Sequence, residues 1–139
     1  TAVDQSDEVT ANRIKDGECW IARHGDKIVG TVLVEFGTRT RPEWVNGRSD
    51  CAYASQLGVD PDFRHHGLGA ALMDVVEARA RDEGFNFIAG DTSEGADYLL
   101  NFYGRRGYEI VDHWQWNGKT YRSVVLAKQL DQSSSTATK

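Results

Sequence analysis

Apolar residues recur at Leu68, Leu72, Val75 and Val76, the i, i+4, i+7, i+8 spacing of a helix that buries one stripe. That spacing predicts a helix over 68–83, closed by Gly84. Asp74, Glu77 and Arg81 fall on its solvent side, with Glu77 four residues ahead of Arg81. Elsewhere the pattern shortens to strand-like runs. "ECWIAR" and "KIVGTVLVEF" read as two strands joined by the turn "HGD". "CAYASQLGV" ends a third strand at Val59, and "FNFIAGDT" makes a fourth. "YEIVDHW" and "TYRSVVLAKQL" form a final pair. Ser6 can cap a short first helix with Asp7 and Glu8 in its opening turn and Gly17 after its end, although Val9, Ala11 and Ile14 give it little apolar content. Thr92 or Ser93 can cap a further helix running to about Tyr103, with Arg105 and Arg106 near its negative end and Gly107 as its stop. Residues 37–50 read as a long loop whose Trp44 folds back on the core.

Composition narrows the class. A chain of 139 residues that is 40% hydrophobic suits one domain, assigned here to residues 1–130, with a Ser/Thr-rich tail at 131–139 expected to be disordered. The net charge of −5 and the lack of a basic stripe argue against a nucleic-acid partner. An acidic surface suits a cationic small molecule instead. Cys19 and Cys51 stand in separate segments with no C-x-x-C pair, which fits a reducing, cytoplasmic setting and argues against zinc. No apolar run approaches the ~18 residues of a membrane span. The chain opens at Thr1 without Met, as a processed or trimmed chain would.

The chemistry concentrates in "FRHHGLGAALM", residues 63–73. A glycine inside a helix costs roughly 0.5–1 kcal/mol relative to alanine, yet Gly67 and Gly69 stand at the start of the clearest helix. Free amides at a helix N-terminus favour anions, and the missing Cβ atoms let phosphate oxygens approach. Strand, turn, R-x-x-G-x-G and helix therefore read as a pyrophosphate cradle. A tight strand-to-helix turn would need one glycine, not two. A Walker loop is excluded because G-K-[ST] is absent. A dinucleotide fingerprint is disfavoured because its third glycine position holds Leu72, although Asp91 sits about twenty residues on. His65 and His66 are adjacent, so their side chains are poorly placed to share a metal ion, and no metal is expected.

"LGVDPDFRHHGLGAALM" resembles the acetyl-CoA motif of the GNAT acetyltransferase superfamily, and "NFYGRRGYEIV" resembles its second signature. The resemblance runs from about Glu18 to Leu130. It implies an α/β fold with a mixed, mostly antiparallel sheet, a splayed parallel strand pair and flanking helices, here with an abbreviated N-terminal strand/helix region. It implies acetyl-CoA as cosubstrate, with its diphosphate on the amides of Arg64, His65, His66, Gly67, Leu68, Gly69 and Ala70. Its pantetheine arm would pair like an added strand with Leu57, Gly58 and Val59. Tyr103 falls at the position of the general acid that protonates the departing thiolate; by spacing alone it reads rather as a core aromatic beside Tyr98, Leu99 and Phe102. Asn101 is a candidate cofactor contact; Arg105 and Arg106 read as a solvated helix end, with one of them an alternative contact for the adenosine phosphate. Many relatives carry a glutamate base on the strand before the cradle, where this chain has Ser55 and Gln56; Glu35, Asp50 or a water chain must then take the acceptor's proton.

The implied activity is transfer of an acetyl group to a primary amine of a small molecule or peptide. The alternatives are a non-catalytic acyl-CoA-binding or sensor module, and transfer of a longer acyl chain. The short N-terminal segment offers no convincing first strand, so the edge of the strand near Cys19 is expected to be covered by a partner subunit in a homodimer or by the N-terminal segment itself.

Overall fold

The structure, a computed structural model, describes residues 7–36, 45, 49–115, 118 and 122–130. One seven-stranded sheet runs through it: β1 (Asp7–Ile14), β2 (Gly17–His24), β3 (Lys27–Glu35), β4 (Cys51–Val59), β5 (Phe87–Ser93), β6 (Glu109–Trp114) and β7 (Ser123–Gln129). Their spatial order is β1-β2-β3-β4-β5-β7-β6, and only β4 and β5 pair in parallel. Two helices, α1 (Leu68–Asp82) and α2 (Asp97–Arg105), complete the mixed architecture read from the sequence. Trp44, most of the loop at 37–50 and the tail at 131–139 lie outside the described residues.

The N-terminal helix expectation is overturned. Residues 7–14 form β1, paired with β2 from Asp7↔His24 to Ile14↔Gly17. Lys15 and Asp16 make a two-residue turn with Asp16 at φ 62°, and Gly17 opens β2 opposite Ile14, so Gly17 is not a helix stop. Too few apolar residues face one side for a helix to gain by packing. The edge of β2 is thus covered by the N-terminal segment. The second helix also differs: β5 continues through Ser93, and α2 begins after Ala96 without a side-chain cap.

The main core lies between α1 and the sheet. Leu68, Leu72, Met73, Val76 and Ala80 pack on Ala22, Val29, Val32, Val34, Ala52 and Ala54. Full burial of Leu68 and Leu72 contributes about 1.5–3 kcal/mol each. The far end of α1 is pinned to β2 by Glu18, whose carboxylate accepts from Arg79 Nε at 3.2 Å and Nη2 at 3.0 Å, and from Trp20 Nε1 at 3.0 Å. Burial works against the charge on Glu18, but the Arg79 and Trp20 donors outweigh it and hold this carboxyl below its ordinary value. Tyr53, Ala89, Val125 and Ala127 form a second cluster with the buried Val45 and Cys51.

Candidate active site

A bulge opens the sheet. Across β3 and β4, Thr31 faces Gly58 while Leu33 faces Ser55, so β4 spends three steps where β3 spends two. The extra residue places Gln56 at φ 57°, a left-handed conformation that is costly outside glycine. Such a bulge bends its strand and sharpens the twist. On the other side of β4, parallel pairing with β5 ends at Ala54↔Gly90. Beyond that rung β4 pairs only with β3, and β5 only with β7. The splay expected at Leu57–Val59 therefore has a local cause.

Gly90 sits where the two strands separate. A Cβ there would lie 2.8 Å from the Ala54 carbonyl oxygen. Gly90→Ala is expected to force the last rung apart and to destabilise the fold by about 1–3 kcal/mol. A fall in thermal midpoint followed by circular dichroism checks this.

Beside the gap lies a groove lined by Leu57, Gly58, Val59, Arg64, Gly69, Tyr98, Leu99 and Phe102. Five of these residues belong to the cradle and strand end named from the sequence. The preceding turn is a 3₁₀ helix, Pro61–His66, closed by Gly67 at φ 77°. Gly67 is also the N-cap of α1, which has no side-chain cap and no acidic residue in its first turn. The amides of Leu68, Gly69 and Ala70 therefore begin a helix whose own first turn carries no group to neutralise its positive end. Leu68 turns its side chain into the core, so only its backbone is available here. The Arg64 guanidinium lies 5.0 Å over the ring of Tyr98, joining the cradle to α2 across the groove.

α2 builds the opposite wall because its residues fall on two sides. Leu99 and Phe102 line the groove, while Tyr103 turns inward and is buried. The Tyr103 ring packs edge-on against Phe102 at 5.4 Å and Tyr108 at 5.1 Å. Burial first, and then the Asp91 carboxylate, push its phenol above the ordinary tyrosine range. Asp91 is the first β5 residue past the last parallel rung. Asn101 is exposed and stands outside the groove lining, as do His65 and His66; His66 instead packs against Phe63 at 5.2 Å. Among the described residues, no group of three or more His, Cys, Asp or Glu side chains could hold a metal ion.

Two charged groups depart from their expected places. Glu77 is buried, not solvent-facing, and accepts from Tyr108 Oη at 2.7 Å and Lys128 Nζ at 3.0 Å. Arg106 is not a free helix end: its guanidinium bonds Asp74 at 2.8 Å and lies 3.2 Å from Glu77. The sequence hid both because helical spacing does not reveal which side of α1 the α2–β6 corner will cover. Tyr98, Leu99 and Phe102 were legible only as an apolar group on a helix, without the groove they face.

A sequence profile of the acetyltransferase (GNAT) family matches residues 2–108. An amino-acid acetyltransferase of Ectopseudomonas mendocina is 38% identical over 61 residues, which are 44% of this chain and 13% of that protein. A mycothiol acetyltransferase of Geodermatophilus obscurus is 28% identical over 103 residues, 69% of this chain and 32% of that protein. The chain thus spans about a third or less of the length of these curated relatives. In fold it is similar to a GNAT family acetyltransferase of Elizabethkingia anophelis solved with acetyl-CoA bound, with a TM-score of 0.70 at 13% identity, covering 91% of this chain and 100% of that one.

Proposed function

The chain belongs to the acetyltransferase (GNAT) family, and from that premise we propose that it transfers the acetyl group of acetyl-CoA to a primary amine of a small molecule or peptide by direct attack. The observation that carries this reading is the continuous path from the opened β4–β5 pair, through the groove, to the uncapped start of α1. An extended pantetheine arm fits the β4 backbone at Leu57–Val59, left without β5 as partner, by the same pairing that adds a peptide strand to a sheet. The diphosphate then meets the amides from Gly67 to Ala70, with Arg64 beside them. Freeing Arg64 from Tyr98 for that contact exchanges one favourable cation interaction for another.

In the transfer, the amine nitrogen attacks the thioester carbonyl carbon and the carbon–sulfur bond breaks. Tyr103 gives its phenolic proton to the departing thiolate. The acceptor must surrender a proton as it attacks. Gln56 cannot accept it at neutral pH. Glu35 stands opposite Tyr53, one rung from Ala54 where the strands part, whereas Asp50 precedes the first rung, about 13 Å from Ala54 along the strand. Position therefore favours Glu35, reached directly or through water. Glu35 and Asp91 near the gap, together with the net charge of −5, support a cationic acceptor such as a polyamine or aminosugar.

The test is release of free CoA from acetyl-CoA in the presence of polyamines, aminosugars and amino acids. At least one amine is expected to raise release well above background hydrolysis. Acetyl-CoA binding by calorimetry with no amine-dependent release would support the non-catalytic binding module instead.

A further inference from the structure

Glu77 is the one buried carboxylate on α1 among the described residues, at 3% exposure. It gathers three donors from outside its own helix: Arg106 at the C-cap of α2, Tyr108 just before β6, and Lys128 on β7. Burying a charge costs several kcal/mol before pairing offsets it, and well-packed apolar residues often do as well for stability. The network therefore calls for a reason beyond holding the fold together.

The backbone supplies one. The carbonyl oxygen of Tyr103 accepts from the amide of Arg106 at 3.0 Å and from that of Tyr108 at 3.1 Å. Two of the three residues whose side chains reach Glu77 are thus the two whose amides hold Tyr103. The ring of Tyr108 also abuts that of Tyr103, at 5.1 Å between centroids. Arg106 further lies 5.9 Å from the ring of Phe102, the groove-lining neighbour of Tyr103. Two hydrogen-bonded routes and one ring contact lead from the Glu77 carboxylate to Tyr103.

We propose that Glu77 is a positioning residue for Tyr103, anchoring from α1 the end of α2 that carries this phenol and so setting where its hydroxyl stands. This rests on Tyr103 acting as the general acid. A shift of about 1 Å in a reacting group is enough to slow an enzyme by about 10²-fold. The device need not alter the groove, whose lining does not include Glu77, Tyr108 or Lys128.

Glu77→Gln keeps the side chain's size and removes its charge. Turnover is measured with acetyl-CoA and the fastest acceptor from the amine panel. The expected result is a kcat lower by about 10- to 100-fold, with KM for acetyl-CoA changed by no more than about twofold, the signature of an interaction that acts on the chemical step. In a Tyr103→Phe background the same substitution is expected to have no further effect. A full repeat of the loss in that background, or an unchanged kcat in the single variant, overturns the proposal. If Glu77→Gln does not fold, Tyr108→Phe removes one donor from the carboxylate and is read by the same cycle and criteria. A Tyr103→Phe variant with undiminished turnover would instead show that the acid role has failed, and the positioning role would fall with it.

Discussion

Tyr103→Phe is expected to slow turnover by about 10²–10⁴ while leaving acetyl-CoA affinity and the thermal midpoint nearly unchanged. The substitution keeps the ring that packs against Phe102 and Tyr108 and deletes only the hydroxyl. The direction of the phenol's shift suits the role. Burial and Asp91 favour its neutral form, so the proton is present throughout the neutral and mildly alkaline range. A thiol ordinarily titrates near 8.5, below this phenol, so transfer to a solvated thiolate would run uphill. A thiolate released into the same buried surroundings is itself poorly solvated and holds a proton more tightly. Turnover that persists in Tyr103→Phe would return this residue to the status of a core aromatic. Steady-state kinetics with saturating acetyl-CoA decide the matter.

Gly69→Leu is expected to weaken acetyl-CoA binding by about 100-fold or more, equivalent to roughly 2.7 kcal/mol, without harming the fold. Its Cβ would meet Phe102 at 3.6 Å and Val59 at 3.7 Å, ordinary contacts, and the rest of the side chain would extend into the groove that Gly69 lines. Replacing a helical glycine by leucine also favours the helix by about 0.5–1 kcal/mol. Stability and binding should therefore move in opposite directions. Gly67 is a less clean probe, because at φ 77° any side chain adds backbone strain of its own. Calorimetry and thermal denaturation of the same preparation separate the two effects. Unaltered affinity would mean that the cofactor does not use this groove.

Much of this was legible in the chain. Helix α1 announces itself because a stripe of Leu and Val at helical spacing has one plausible burial mode, and "CAYASQLGV" marks β4 from Cys51 to Val59. The glycines at 67 and 69 mark the start of α1, where Gly67 is the N-cap and Gly69 lines the groove, because they stand where a helix would otherwise exclude them. The misread elements share a different property. The segment at 7–14 has charges and few apolar residues, so its local preference is weak and pairing along β2 decides its state. Glu77 satisfies every local rule for a solvent-facing helical position. Its burial comes from Tyr108 and Lys128, which are 31 and 51 residues away along the chain. The bulge at Gln56 was hidden for a similar reason: a left-handed glutamine has no sequence signature, and only the mismatch in steps between β3 and β4 exposes it.

Four rungs, from Cys51↔Phe87 to Ala54↔Gly90, are the whole of the in-sheet join between the leaf β1–β4 and the leaf β5–β7–β6. Above Ala54 no backbone pairing ties the two leaves together. An extended molecule bonded to β4 and wedged against α2 would lengthen the seam from outside the chain. Its binding would then stiffen the protein along a line much longer than the ligand itself. At 100 times the dissociation constant, ligation adds about 2.7 kcal/mol to the bound form. Amide protons on both leaves, including those on β7 that never approach the ligand, should exchange more slowly together when the seam is extended.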